Sequence, residues 1–209
     1  MLVEQIPPCA PGSNAYIVGD VLVDAGMDAD AVIEHIRRRS TGLRMIVLTH
    51  AHYDHTEAAQ QIVEHTGALV AAGRGDAERL SDPIYSVANL FGVKSIKLRA
   101  DIVLSEGGKI EAGDAELSVL STPGHTKGSI CLFEPTTASL FSGDTVYANG
   151  SFGTCELPGG SREELLSSLE SLSMLGVERL YPGHGEVVSE RAFEHISLAY
   201  EVACTMLRS

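Results

Sequence analysis

Four potential metal ligands lie within six residues of this chain, in the segment His50-Ala51-His52-Tyr53-Asp54-His55. Imidazole and carboxylate groups are common ligands of divalent metals, and three of the chain's eight histidines fall in this segment. No single face of an extended chain presents all four side chains, since three of them alternate and the fourth is adjacent to the third. We therefore predict a turn that directs the first two histidines to one point and Asp54 and His55 to another. This arrangement predicts two metal ions.

Three further candidate ligands each follow a glycine at the end of a predicted strand. They are His125 in Pro123-Gly124-His125, Asp144 in Ser142-Gly143-Asp144, and His184 in Pro182-Gly183-His184. Proline and glycine favour sharp turns, so each ligand is expected just beyond its strand. Each of these motifs is common alone. Together with the first segment they supply seven donors at strand ends.

The first ligand segment follows the apolar run Met45-Ile46-Val47-Leu48, which is short and contains β-branched residues and so predicts a buried strand. Sites in open α/β sheets form at the carboxyl ends of such strands. Similar patterns predict strands over 15–18, 21–23, 68–72, 102–104, 109–111, 117–121 and 129–133. Helices are predicted over 57–66, 82–91, 161–175 and 191–207, with another of about ten residues after the capping residue Asp28.

These elements form two successive blocks of strands and helices. The blocks predict two packed sheets with helices outside, a four-layer α/β sandwich that some schemes class as α+β. The chain length of 209 residues suits a single domain, residues 1–209, with a sizeable core.

The composition argues against nucleic-acid and membrane partners. The formal net charge of −13 repels polyphosphates, and no apolar run is long enough to cross a bilayer. The first residues lack the basic and apolar regions of a secretory signal. The four scattered cysteines indicate reduced thiols: Cys9, Cys131, Cys155 and Cys204. We expect a cytoplasmic protein that acts on a small molecule. The sequence does not determine the oligomeric state, and a homo-oligomer is one of the alternatives.

In order and spacing, the seven donors resemble the metal ligands of the metallo-β-lactamase superfamily, and the resemblance extends from a hairpin at residues 14–26 to His184. It implies an αβ/βα sandwich with a dinuclear site between the sheets. By resemblance, one metal is held by His50, His52 and His125, the other by Asp54, His55 and His184, and Asp144 bridges them. An aspartate at 144 with a histidine at 55 is similar to the pattern of small microbial glyoxalase II-like hydrolases.

This ligand set indicates hydrolytic chemistry. Imidazole and carboxylate suit zinc, iron or manganese, and zinc is the metal we expect. Two neighbouring cations lower the pKa of a shared water, make hydroxide available at neutral pH and polarise a carbonyl. Asp54, as ligand and hydrogen-bond acceptor, can orient the metal-bound hydroxide. With the resemblance, this predicts hydrolysis of a thioester, as in glyoxalase II, or of a related ester.

Departures from the family pattern keep other substrates open. The basic residue that glyoxalase II carries in the loop after Asp144 is missing, because residues 150–155 contain none. A thioester of another thiol, or a lactone, is therefore an alternative to a glutathione thioester. Persulfide dioxygenases share all seven ligands but use one iron. The arginine and aspartate that they carry after the Asp motif are Thr154 and Glu156 here. An iron-dependent oxygenase is a further alternative.

Two aromatic residues after Asp144 are candidates for substrate contact. Tyr147 and Phe152 lie in the loop that follows this ligand. Packing into the core is an alternative of equal weight for both rings.

Overall fold

The computed structural model describes residues 1–8, 12–93 and 96–207, and within them it contains two β-sheets. The first sheet has six strands in chain order: β1 (Val3–Ile6), β2 (Ala15–Val18), β3 (Val21–Val23), β4 (Met45–Leu48), β5 (Leu69–Gly73) and β6 (Ile102–Leu104). The second sheet has five strands in the order β11-β10-β9-β8-β7: β7 (Lys109–Ala112), β8 (Ala115–Ser121), β9 (Ile130–Glu134), β10 (Ser139–Gly143) and β11 (Arg179–Pro182).

In each sheet the pairing of neighbouring strands changes once between antiparallel and parallel. The first sheet is antiparallel from β1 to β3 and parallel from β3 to β6. The second sheet is antiparallel from β7 to β10, and β11 then pairs parallel to β10. The parallel strands β3, β4 and β5 therefore place their carboxyl ends at one edge, as the sequence predicted for β4.

The helices within the described residues are α1 (Ala29–Arg37), α2 (Tyr53–Thr56), α3 (Ala59–Thr66), α4 (Arg162–Ser173) and α5 (Ala192–Met206), with short 3₁₀ turns at Ala88–Phe91 and Ala148–Gly150. Asp28 caps α1 by accepting a hydrogen bond from the Ala31 backbone N–H at 2.9 Å. Ser161 caps α4 by accepting one from Glu164 N–H at 3.3 Å. Both caps satisfy amides that the helix leaves free, as predicted. None of these helices has the length and apolar character needed to cross a bilayer.

Three apolar clusters fill the spaces between four layers. In β4, Ile46 and Leu48 pack under α1 and α3, while Met45 and Val47 pack between the two sheets. This alternation follows the two-residue period of a strand that is buried on both faces. A third cluster, which includes Leu165, lies between the second sheet and the helices α4 and α5. The predicted four-layer α/β sandwich is confirmed.

Two helix predictions are wrong in detail. The predicted helix over 82–91 forms only the 3₁₀ turn Ala88–Phe91, because Val87 has a left-handed backbone with φ of 54° that interrupts helical hydrogen bonding. The predicted helix over 57–66 begins at Ala59, and the separate one-turn helix α2 precedes it.

The described cysteines agree with the expectation of reduced thiols. Cys131, Cys155 and Cys204 are all free. Cys9, which the same prediction included, lies outside the described residues.

Candidate metal centre

The candidate ligands meet where strands of both sheets end. His50 and His52 follow β4, and Asp144 follows β10 of the other sheet. The chain is extended at His52, with φ of −65° and ψ of 145°, and becomes helical at the next residue. The turn predicted within the first ligand segment is thus the one-turn helix α2, which carries Asp54 and His55.

Six of the seven side chains form two adjoining groups of possible ligands. The ligand atoms within each group lie within 4.8 Å of one another: His50, His52 and His125 in the first group, and Asp54, His55 and His184 in the second. In the first group, His52 Nδ1 lies 2.9 Å from His125 Nε2. In the second, His55 Nε2 lies 3.3 Å from His184 Nε2, which is about the spacing of two nitrogens on one tetrahedral zinc.

Asp144 lies between the two groups. Its Oδ1 is 3.1 Å from His55 Nε2. Its Oδ2 is 3.5 Å from His125 Nε2 and 3.5 Å from His184 Nε2. One carboxylate thus faces both groups, which is the geometry that a bridging ligand requires.

The donors fit a pair of divalent cations. His50 Nε2 is buried and makes no hydrogen bond, and a buried polar atom without a partner is costly. A cation at this centre would satisfy this atom. Imidazole and carboxylate donors suit zinc, iron or manganese.

Burial lowers the pKa of two histidines of the first group, His50 and His52. It lowers the pKa of His50 well below its usual value, and it lowers the pKa of His52 to about 3. The neighbouring imidazoles reinforce both shifts. Both rings are therefore neutral at pH 7, which is the form that binds a metal.

In the second group the pKa of His55 shifts in the opposite direction, because this imidazole lies among carboxylates. Burial lowers the pKa of His55, but the charges of Asp144, Asp24 and Asp54 outweigh it, so this pKa stands well above its usual value. Burial opposes the charge of the Asp144 carboxylate as well, yet His55 and the other imidazoles hold the pKa of Asp144 well below its usual value. A cation at this position would displace the proton from His55.

These opposed shifts predict a stability maximum near neutral pH for the metal-free chain. The folded pKa of His52 is about 3 against 6.5 when unfolded, so the unfolded chain binds more protons between these values and stability falls with falling pH. Between pH 6.5 and 4 this residue alone contributes a loss of about 3 kcal/mol. The raised pKa of His55 acts in the other direction, since its stabilisation is lost as pH rises through the folded value.

Thermal unfolding of chelator-treated protein across pH 4–9 measures this profile. The metal-loaded protein is expected to lose the alkaline decline, because bound cations replace the proton on His55. A metal-free chain whose stability rises steadily above pH 7 would contradict these assignments.

Asp24 is a buried support of the centre that the sequence reasoning did not single out. Its Oδ2 lies 2.8 Å from His55 Nδ1, and it also accepts hydrogen bonds from Thr49 N–H and Oγ1, each at 2.8 Å. A carboxylate on one ring nitrogen fixes the ring and leaves Nε2 free for a metal. Its position directly after β3, at the same sheet edge as His50, was the available signal.

Asn14 supports the turn that carries His184 and was also missed. Its side-chain amide donates to the Pro182 carbonyl at 3.0 Å and to the Gly185 carbonyl at 3.1 Å. Its backbone N–H donates to the Gly183 carbonyl at 2.7 Å. Asn14 thereby holds the turn that presents His184.

The two predicted substrate residues occupy different surroundings. The Tyr147 ring lies 6.1 Å from the His184 ring, at the edge of the centre. Burial, together with the carboxylates of Asp144 and Asp54, raises the pKa of Tyr147. Phe152 is half-buried and packs against the cluster between the second sheet and α4 and α5.

Comparison with known proteins points to one family. A family model described as the metallo-beta-lactamase superfamily matches residues 10–184. The hydroxyacylglutathione hydrolase GloC of Haemophilus influenzae is 29% identical over 178 residues, which cover 82% of this chain and 84% of that protein.

Two solved structures are similar in both fold and sequence. The B3 metallo-beta-lactamase BLEG-1 has a TM-score of 0.82 at 30% identity, with 89% of this chain and 93% of that chain covered. A protein solved in a di-iron-bound form has a TM-score of 0.76 at 29% identity, with 94% and 96% covered.

Proposed function

The chain belongs to the metallo-β-lactamase superfamily, and from this premise we propose that it is a dinuclear metallohydrolase that cleaves a hydroxyacyl thioester or a related ester. The position of Asp144 between two donor groups carries this proposal. In the proposed centre, His50, His52 and His125 would hold one metal, Asp54, His55 and His184 would hold the other, and Asp144, which faces both groups, would be a ligand shared by them.

The centre opens towards solvent at the second group. The His184 side chain is 35% exposed and that of Asp54 15%, whereas His50 is fully enclosed. We therefore place the substrate on the His184 side. Two bound divalent cations supply hydroxide at neutral pH and polarise the scissile carbonyl.

The chain's own residues orient the reaction. Asp54 Oδ2 lies 3.0 Å from His184 Nε2, at the open side, where a carboxylate oxygen can accept a proton from the attacking water. Burial and a hydrogen bond to Asp144 raise the pKa of Tyr147, so its phenol stays protonated against this carboxylate and its ring is left to contact the substrate. Phe152 is assigned only an outer role in the pocket wall, since it packs against the core.

The thioester class is supported by the relative whose name states that chemistry. The hydroxyacylglutathione hydrolase GloC is 29% identical, and the match covers 84% of its length. The identity of the thiol is a separate question, because residues 150–155 here contain no basic residue to pair with glutathione carboxylates.

The segment 82–91 contacts Tyr53, which directly precedes Asp54, and carries exposed apolar side chains. The Tyr53 ring, between two candidate ligands, contacts the Phe91 ring at a centroid distance of 5.3 Å. Ile84 and Leu90, on the segment that contains Phe91, are 64% and 69% exposed. Apolar surface that is covered by substrate contributes about 25 cal/mol for each Å² removed from water. We therefore propose a thioester whose acyl or thiol group is apolar.

Thiol release from a panel of thioesters tests both parts of the proposal. The panel contains S-lactoylglutathione and thioesters of smaller and more apolar thiols, with metal-replete and chelator-treated protein side by side. We expect metal-dependent hydrolysis, with kcat/KM for an apolar thioester at least about ten-fold above that for S-lactoylglutathione. Equal or better turnover of S-lactoylglutathione would contradict the apolar preference, and no metal-dependent hydrolysis of any thioester would contradict the thioesterase.

Two other activities are favoured by particular relatives. The similarity to the B3 metallo-beta-lactamase BLEG-1 is the reason to include a β-lactam in the panel. A lactone is added to test hydrolysis of an ester in place of a thioester. The di-iron form of a relative that is 29% identical makes iron a specific alternative to zinc. Metal analysis of the purified protein, with oxygen uptake on a persulfide, distinguishes an iron oxygenase from a zinc hydrolase.

A further inference from the structure

A second buried carboxylate, Asp76, lies outside both donor groups and has no role in the chemistry proposed above. It is fully enclosed and accepts four hydrogen bonds. Its Oδ2 accepts from the Ala51 backbone N–H at 2.7 Å and from Thr126 Oγ1 at 2.8 Å. Its Oδ1 accepts from the Gly128 backbone N–H and from the Tyr85 hydroxyl, each at 2.7 Å.

Three of these partners, Ala51, Thr126 and Gly128, belong to two loops that are far apart in the sequence. Ala51 lies between the ligands His50 and His52, and Thr126 directly follows His125. The carboxylate therefore ties together the two loops that present all three imidazoles of the first donor group. It makes no hydrogen bond to a residue of the second group within the described part of the chain.

The Asp76 side chain packs closely against both the His125 loop and Tyr85. A Cβ on Gly128 would lie 2.7 Å from the Asp76 carboxyl carbon, so the His125 loop approaches this side chain without room for a larger residue. The Tyr85 hydroxyl also accepts from the Lys127 backbone N–H at 3.2 Å, which orients its own proton towards Asp76. A carboxylate offers only acceptors, and all four partners are donors.

The charge of Asp76 matters as well. No lysine, arginine or histidine of the described chain forms an ion pair with it. Buried carboxylates without an ion pair are rare, because hydrogen bonds alone must offset the lost hydration. The first donor group consists of three imidazoles and contains no carboxylate, so a nearby anion favours a cation there.

From these contacts we infer that Asp76 is the positioning residue of the first metal position, and that it sets metal affinity there and not at the second position. The inference rests on the dinuclear centre proposed above. An asparagine at 76 would direct its amide N–H₂ at one of the two backbone N–H donors, of Ala51 or Gly128, and would lose at least that hydrogen bond. Loss of such an outer partner typically weakens metal binding about 10–100-fold.

The test is a competition titration with a chromophoric zinc chelator, on wild-type protein and in two single-site backgrounds. His184→Ala retains the first donor group, and His52→Ala retains the second. We expect Asp76→Asn to raise the zinc dissociation constant about 10–100-fold in the His184→Ala background and less than about three-fold in the His52→Ala background. Equal weakening in both backgrounds, or none in either, would overturn the assignment.

Three further variants keep the result interpretable. Tyr85→Phe and Thr126→Val each remove one donor and leave the carboxylate, so each is expected to give a smaller loss in the His184→Ala background alone. They replace Asp76→Asn if that variant does not fold, as measured by thermal unfolding of the metal-free chain. Asp101→Asn is the matched control, because Asp101 also accepts a backbone hydrogen bond, from Val70 N–H at 2.8 Å, but contacts neither ligand loop. Wild-type protein that binds no zinc would instead refute the proposed centre itself.

Discussion

Replacing His52 with alanine is expected to remove one of two bound metal ions and to lower kcat/KM by at least about 100-fold, while the chain stays folded. His52 is buried, and burial already keeps it neutral by lowering its pKa to about 3. Its replacement takes away a ligand atom without leaving an unpaired charge in the core. Metal analysis, steady-state kinetics and thermal unfolding of the metal-free variant measure the three parts of this result.

The matched control is His65→Ala. His65 is an exposed histidine on α3 and forms none of the candidate ligand groups. This variant should keep both metals and its full rate. If His52→Ala hydrolysed the best substrate as fast as the wild-type protein, the assignment of the first metal position would be wrong.

Replacing Gly183 with alanine is expected to be nearly as damaging, although glycine has no side chain to bind anything. A Cβ at this position would overlap Asp144 Oδ1 and would lie 2.6 Å from His55 Cε1. The bridging carboxylate and a ligand of the second group would both have to move. Overpacking of this kind costs about 1–3 kcal/mol of stability, and a displacement of about 1 Å at a catalytic centre can cost about 100-fold in rate.

Gly42→Ala is the control for this variant, since a Cβ at Gly42 would meet no atom within 4 Å and its backbone is not left-handed. We expect Gly42→Ala to match the wild-type protein in metal content, unfolding temperature and kcat/KM. Gly183→Ala should lose affinity at the second metal position most strongly. Two metals bound at wild-type affinity in Gly183→Ala would show that the centre tolerates this shift, contrary to the geometry.

The same glycine shows how far a motif can be interpreted from sequence. Gly124, Gly143 and Gly183 precede three candidate ligands, and the pattern indicated only that sharp turns occur there. The structure gives a separate steric reason in all three cases. A Cβ on Gly124 would overlap Leu165 of α4. Gly143 has a left-handed φ of 48°, and its Cβ would lie 2.7 Å from the Thr49 Cβ at the end of the other sheet. Gly183 lies against the ligands themselves.

The sequence alone determined the layer architecture and the candidate donors. Alternating burial in strands such as β4, and capping residues such as Asp28 and Ser161, are local signals that depend on neighbours a few residues away. For the same reason most of the strands were predicted, whereas β1 was missed. The helix over 82–91 failed because the left-handed Val87 follows from tertiary contacts, among them the hydrogen bond of Ser86 O with Tyr53 N–H at 2.8 Å.

Only the tertiary structure decided which groups hold the ligands in place. Asn14 and Asp76 each lie at a position that no periodicity or motif distinguishes from an ordinary loop residue, and the only sequence signal for Asp24 was its position directly after β3. Their partners are distant in the sequence: Asn14 supports the turn at Pro182, 168 residues away, and Asp76 joins loops at Ala51 and Thr126. A ligand is recognisable from its own chemistry and spacing, whereas a supporting carboxylate or amide is defined by what the folded chain brings against it.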